Sequence, residues 1–166
     1  QCKCKPHFTG RRCNVTESSF FCPSIDYYTF EAENAQSLGT PSEIEPRLPS
    51  KHETHQEWTG TGYTRVKEGT TLDFTIDGIQ KSMDYNVILR YESEHDNIGW
   101  ENVQVFINRP SKPDPFSPCA NSNIENDMLL ARLHPNGRYV ELRPSVCLDA
   151  NVVYDVKVVF GEKRTN

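Results

Sequence analysis

Apolar and polar residues alternate along much of the chain, and the clearest run lies between residues 70 and 91. Leu72, Phe74 and Ile76 form one period-two series and Met83, Tyr85, Val87, Leu89 and Tyr91 form another, with Gly78 in the turn between them. That spacing turns one face of a pleated strand toward a core and leaves Asp73, Thr75, Asn86 and Arg90 on the other. A helical period would scatter the same residues around a cylinder, and the β-branched and aromatic content also favours strands. Val103, Val105 and Ile107 mark a third strand over residues 100–108. Runs at 128–133 and 139–142 flank a turn whose Asn136-Gly137 step signals chain reversal. Residues 152–160 read as a further strand, and 27–33 as an opening strand with Glu31 and Glu33 on one face. Roughly seven short strands without βαβ alternation predict an antiparallel β-sandwich.

Interruptions are as legible as the runs. Pro41, Pro46 and Pro49 stand in a stretch poor in apolar residues, so 34–58 reads as a surface excursion. Four prolines between Arg109 and Pro118 fix φ and remove backbone donors, which makes that segment a loop. Gly60 and Gly62 lie between Trp58 and Tyr63, which suits a tight bend packed under an aromatic ring. Residues 161–166 read as a polar tail.

Composition narrows the picture. A chain of 166 residues, 36% hydrophobic and 25% charged, supports one thin two-layer domain and a small appendage. The net charge of −5 is spread among both signs, so no basic face is offered to nucleic acid. Arg11 and Arg12 are read as solvated loop residues rather than a heparin site. No apolar run approaches the ~20 residues of a membrane helix, which argues against membrane insertion, and the start lacks a signal-peptide pattern, as expected for a piece of a larger extracellular protein. Six cysteines and the sequon Asn14-Val15-Thr16 point to the secretory route, oxidised sulfur and glycosylation at Asn14. A zinc site would want a second short-spaced pair to match Cys2 and Cys4. Cys119 and Cys147 bracket the 128–142 region; a bridge there closes a loop of about 28 residues, for which the chain-entropy model gives on the order of 3–4 kcal/mol.

Catalytic chemistry finds little support. His52 and His55 are spaced i, i+3 around Glu53, not the i, i+4 that brings two imidazoles onto one helical face for zinc. There is no Gly-x-Ser-x-Gly elbow, no phosphate loop and no cysteine expected to remain a thiolate. Glycoside hydrolysis needs two carboxylates across a cleft, and the sequence places no two of Glu31, Glu57, Asp73 and Glu92 in that relation. The chain is therefore read as a non-enzyme. A glycan- or protein-binding, lectin-like module is the alternative, and it requires two or more of Trp58, Tyr63, Trp100 and Phe116 to lie exposed in one groove.

The N-terminal run Cys2-Lys3-Cys4-Lys5, with Gly10-Arg11-Arg12-Cys13 after it, resembles the second half of a laminin-type EGF-like module. It precedes Asp26-x-Tyr28-x-x-Glu31-Ala32-Glu33, Trp58-Thr59-Gly60-x-Gly62, Arg65-Val66-x-Glu68-Gly69, Met83-Asp84-Tyr85 and Leu89-Arg90-Tyr91-Glu92. Together these motifs resemble domain IV of laminin beta chains, the LF domain. The resemblance implies that 1–22 is the end of an EGF-like module in which Cys4 pairs with Cys13 and Cys2 with a cysteine upstream. It implies that 23–166 is the LF domain, a jelly roll similar to carbohydrate-binding modules. Against that pattern the chain stops one strand early, which leaves Cys22 without a partner and a sheet edge open. In those modules two first-strand glutamates and a final-strand aspartate hold a structural calcium; here the glutamates are Glu31 and Glu33. The implied role is a non-catalytic structural and adhesion module, secreted into the extracellular matrix of basement membranes. Its implied partners are other laminin chains and matrix proteins or glycans.

Overall fold

The alternating runs fold as strands in the computed structural model, which describes residues 8–9, 15–16, 27–46, 59–93, 98–122 and 127–165. Strands β1 (Phe8–Thr9) and β2 (Val15–Thr16) pair with each other. A 3-10 turn, Ala32–Asn34, then precedes β3 (Gln36–Gly39), β4 (Glu43–Pro46), β5 (Gly62–Arg65), β6 (Thr70–Ile76), β7 (Met83–Tyr85) and β8 (Ile88–Arg90). They are followed by β9 (Ile98–Asn108), β10 (Met128–Leu133), β11 (Tyr139–Glu141), β12 (Val146–Leu148), β13 (Tyr154–Phe160) and β14 (Lys163–Thr165). All pairings are antiparallel.

The main sheet runs β10-β9-β13-β6-β3, with β14 also on β9. Its register brings the alternating residues into rows. Val158 lies between Leu72 and Val105, Val156 lies between Phe74 and Ile107, and Phe160 faces Val103. Leu129 and Ala131 extend two of these rows through Val105 and Val103. Val103 and Val105 are fully excluded from solvent, so this face is the floor of the core.

A second layer covers it. β7 pairs with β12 and β8 with β11, and the two short ladders are one ladder with a break. At the break residues 86–87 face 142–145, a bulge that includes the cis bond Arg143–Pro144; Leu142 N donates to Val87 O at 2.8 Å across it. Leu142, Val146 and Leu148 from this ladder join Ile79 and the main sheet in a single buried cluster. Tyr85, Val87, Leu89 and Val140 pack on that cluster from the same layer. The protein is thus all-β and antiparallel, as the periodicity predicts.

Several local expectations are corrected. The opening strand predicted over 27–33 is an unpaired segment followed by the 3-10 turn: Tyr28 packs edge-on against Tyr85 at 6.1 Å and its hydroxyl accepts from Gln80 N. The excursion predicted over 34–58 contains β3 and β4, strands whose residues are mostly exposed and so leave no apolar alternation to read. The runs at 128–133 and 139–142 do not pair with each other. β10 joins β9 and β11 joins β8, so the Asn136-Gly137 turn crosses between layers. Gly137 fits because a Cβ there would come within 2.0 Å of the Tyr91 hydroxyl. Residues 163–165 of the expected tail pair with the start of β9. The strand order of the main sheet ends at β10 on one side and at β3 on the other, with β13 between β9 and β6.

Candidate functional site

Two polar constellations stand out from this frame. The first is Glu31 and Glu33 at the 3-10 turn. Their carboxylates converge over Gly60: a Cβ on that glycine would lie 2.6 Å from Glu33 Oε1 and 2.9 Å from Glu31 Oε2. Gly60 has φ of +72°, so both its backbone conformation and the space above it require glycine. Glu33 Oε1 accepts from Thr61 N at 3.0 Å and Gly62 N at 2.9 Å, which fixes the bend against the turn. Gly60 of the glycine-rich bend therefore lies directly beneath the acidic pair, while Trp58, under which the bend is expected to pack, lies outside the described residues. These are the hard oxygen donors calcium prefers, but calcium takes six to eight of them. Among the described residues no three His, Cys, Asp or Glu side chains gather as a metal cluster.

The second constellation fastens the end of β9 to β12 and β13. Arg109 follows the last residue of β9 and is bidentate to Asp127, through Nε to Oδ2 and through Nη2 to Oδ1 at 2.7 Å. Nη2 also donates to Cys147 O at 2.7 Å, and the guanidinium lies 5.6 Å from the centre of the Tyr154 ring. The hydrogen bonds to Asp127 hold the guanidinium above its usual pKa against the opposing effect of burial. Burial raises the Tyr154 phenol, and the Asp149 N–H it accepts at 2.7 Å opposes the rise. Cys119 and Cys147 are bridged, with Cα atoms 5.4 Å apart. The expected bridge is therefore present.

Arg109 and Asp127 escaped sequence reasoning. They stand 18 residues apart, on either side of a proline-rich loop, and no local spacing links them. The only cue was an arginine placed where a buried strand ends and a bracketing cysteine pair begins.

The remaining candidates do not converge on chemistry. Asp73 faces outward beside Lys157 at 3.5 Å, and Glu92 pairs with Arg138 at 2.8 Å. Trp100 lies near the start of β9 and packs on Phe160 at 5.3 Å with Lys163 Nζ over its ring, whereas Phe116 lies past the other end of β9 and is 97% exposed. Eight residues of extended strand separate Trp100 from Asn108, about 27 Å at the usual rise. Tyr63 is half-buried on β5. Trp100 and Phe116 thus do not share the groove that a glycan platform needs. Cys2, Cys4, Cys13, Cys22, Asn14, His52, His55, Glu57 and Trp58 lie outside the described residues. Among the described residues no helix is long and apolar enough to cross a membrane.

This all-β, antiparallel, disulfide-bridged arrangement belongs to a known class of domain. The model of the Laminin IV type B domain matches residues 26–166, and the chain belongs to that family. It is 37% identical over 161 residues, 93% of its length, to mouse laminin subunit beta-1. It is 34% identical over 139 residues, 84% of its length, to rat laminin subunit beta-2, and 34% identical over 110 residues, 64% of its length, to Drosophila laminin subunit beta-1. The chain spans 6–8% of the length of these relatives.

Proposed function

We propose that the chain is a non-catalytic structural and adhesion module in the short arm of a laminin beta subunit, secreted into basement membranes. The match of the Laminin IV type B model over residues 26–166 carries this reading. The Cys119–Cys147 bridge supports it, since such bonds persist in oxidising compartments. A cross-linked antiparallel core suits a rigid spacer that presents neighbouring modules. Its partners in this reading are other laminin chains and matrix proteins or glycans. Two layers around one core are compatible with a jelly roll like that of carbohydrate-binding modules. Residues 1–22 are assigned to the end of an EGF-like module with Cys4 bridged to Cys13, and Asn14 to a glycan.

The decisive test is expression within a full-length laminin beta subunit in secreting cells. The expected product is deposited in matrix, carries Cys119–Cys147 and Cys4–Cys13 in a non-reducing peptide map, and gives no turnover on a glycoside panel. Retention in the cell with free thiols, or hydrolysis of a glycoside, would overturn the reading.

The same reading assigns a structural calcium to Glu31 and Glu33. The convergence of the two carboxylates over Gly60 supports it. Bringing two like charges together is unfavourable in the absence of a cation, so calcium should raise the melting midpoint over chelator, and Glu31→Gln with Glu33→Gln should abolish the difference. An identical melt in calcium and in chelator would discard the metal.

A further inference from the structure

The turn that carries the chain from β10 in one layer to β11 in the other is closed by Gly137 N, which donates to His134 O at 2.9 Å, with Pro135 and Asn136 between them. His134 O also accepts from the Tyr91 hydroxyl at 3.0 Å. Position 137 has no room for a side chain, since a Cβ there would come within 2.0 Å of that hydroxyl and 3.2 Å of His134 O. The packing of Tyr91 therefore demands glycine directly after Asn136. Asn136 is exposed, and among the described residues its carboxamide makes no hydrogen bond.

An exposed, unpaired carboxamide followed by a residue without Cβ is open to attack by its own backbone. Gly137 N and Asn136 Cγ belong to one short piece of chain, so closure of a five-membered succinimide is intramolecular, and no side chain on residue 137 crowds the approach. The attack requires Gly137 to release its N–H from His134 O. That release orphans no carbonyl, because the Tyr91 hydroxyl still donates to it. Every other asparagine that has a successor is followed by a residue with a Cβ, and Asn102 and Asn108 lie within β9. Asp77-Gly78 shares the glycine, but a carboxylate is a poorer electrophile than a carboxamide.

We propose that Asn136 is a self-modification site, which water converts to isoaspartate without an enzyme, and that the change loosens the β8–β11 end of the second layer. The proposal goes beyond the module reading and rests on this turn alone. Gly137 N forms a bond to Asn136 Cγ, and the side-chain nitrogen leaves as ammonia with the proton that Gly137 N gives up. Water then opens the succinimide at either carbonyl. Opening at Asn136 Cγ gives aspartate; opening at the main-chain carbonyl of Asn136 gives isoaspartate, whose backbone runs through Cβ and Cγ and is longer by one carbon. One water is consumed and one ammonia released, with nothing oxidised or reduced. The product carries a new carboxylate between His134 and Arg138. Arg138 O accepts from Tyr91 N at 3.0 Å, and Tyr139 lies opposite Arg90, so a longer turn displaces the residues that tie β11 to β8.

The test ages the disulfide-intact chain in neutral and mildly alkaline buffer and locates isoaspartate by peptide mass spectrometry. Conversion at Asn136 is expected to run at least about tenfold faster than at any other asparagine or at Asp77, and faster at the higher pH because a deprotonated amide nitrogen is the nucleophile. Asn136→Gln, whose extra methylene enlarges the ring, should slow conversion at least about tenfold and leave the fold unchanged. The purified isoaspartyl form should show faster amide exchange at Tyr91 and Val140, with β9 unaltered. A carboxamide that survives in the folded chain but not in the guanidinium-unfolded chain would show that the turn protects Asn136, and would overturn the proposal. Conversion no faster than at the other asparagines, or unaltered exchange in the isoaspartyl form, would overturn it as well.

Discussion

The rows centred on β13 and the fastening around Arg109 are two regions of the same domain held by different physics. In the rows, Val158 between Leu72 and Val105 contributes through apolar area removed from water, and any side chain of similar shape would serve. At the fastening a guanidinium, a carboxylate and a carbonyl from residues 18 and 38 positions apart meet beside a disulfide, and each group depends on a particular partner. The difference teaches where the molecule tolerates change. Area is redundant, whereas a buried charge becomes a liability once its counterpart is removed.

The largest expected effect follows from that asymmetry. Arg109 and Asp127 side chains are only 7% and 11% exposed, so Arg109→Met strands a carboxylate and removes a donor from Cys147 O. The loss should be about 3–5 kcal/mol, and Arg109→Met combined with Asp127→Leu should recover most of it. Urea denaturation of the single and double variants measures both. A double variant as unstable as the single would show that the pair does more than satisfy itself.

Next come Leu129 and Leu130, neighbours on β10 that sample opposite faces. Leu129 is 1% exposed and Leu130 61%. Leu129→Ala should cost about 2–5 kcal/mol, with the residual cavity setting the value, while Leu130→Ala should stay within about 0.5 kcal/mol. Equal losses would mean that the register of β10 on β9 is wrong by one residue.

Removing the bridge with Cys119→Ser and Cys147→Ser should cost about 2–4 kcal/mol. Amide exchange should then accelerate most in residues 114–122 and least in β9 and β13, because the rows do not depend on the cross-link. Uniform acceleration would erase the distinction between the two regions.

What could be read from the sequence follows the same division. β6, β9, β10 and β13 were legible because half-buried strands must alternate, and Cys119–Cys147 because two cysteines bracket one segment. Which strand pairs with which was not, since Leu129 opposite Val105 and Val140 opposite Leu89 obey the same period. β3 and β4 left no trace because exposed strands need no apolar residues, and even Pro46 is tolerated where β4, among the described residues, pairs only with β5. Glu31 and Glu33 were named from a family resemblance, but their seat over Gly60 needed coordinates. Arg109–Asp127 illustrates the general limit: a pair joined across a loop has no period.

The smallest effect provides the control. Glu43 and Lys67 form an ion pair at 3.1 Å, with side chains 57% and 53% exposed. The hydrogen bond from Lys67, and then its charge, hold the Glu43 carboxyl below the usual glutamate value. A carboxyl depressed in the folded state contributes stability above its unfolded pKa and loses it as pH falls through the folded one, so any contribution belongs to neutral pH and fades in acid. Water screens this pair fully enough that Lys67→Met should leave the melting midpoint unchanged at neutral pH and in acid. The Glu43 titration, followed by nuclear magnetic resonance, should nevertheless move up toward the ordinary value. Both pairs join one acid to one base, so burial is the variable that separates them. A fall in stability for Lys67→Met matching that of Arg109→Met would show that burial is not what makes the Arg109 fastening matter.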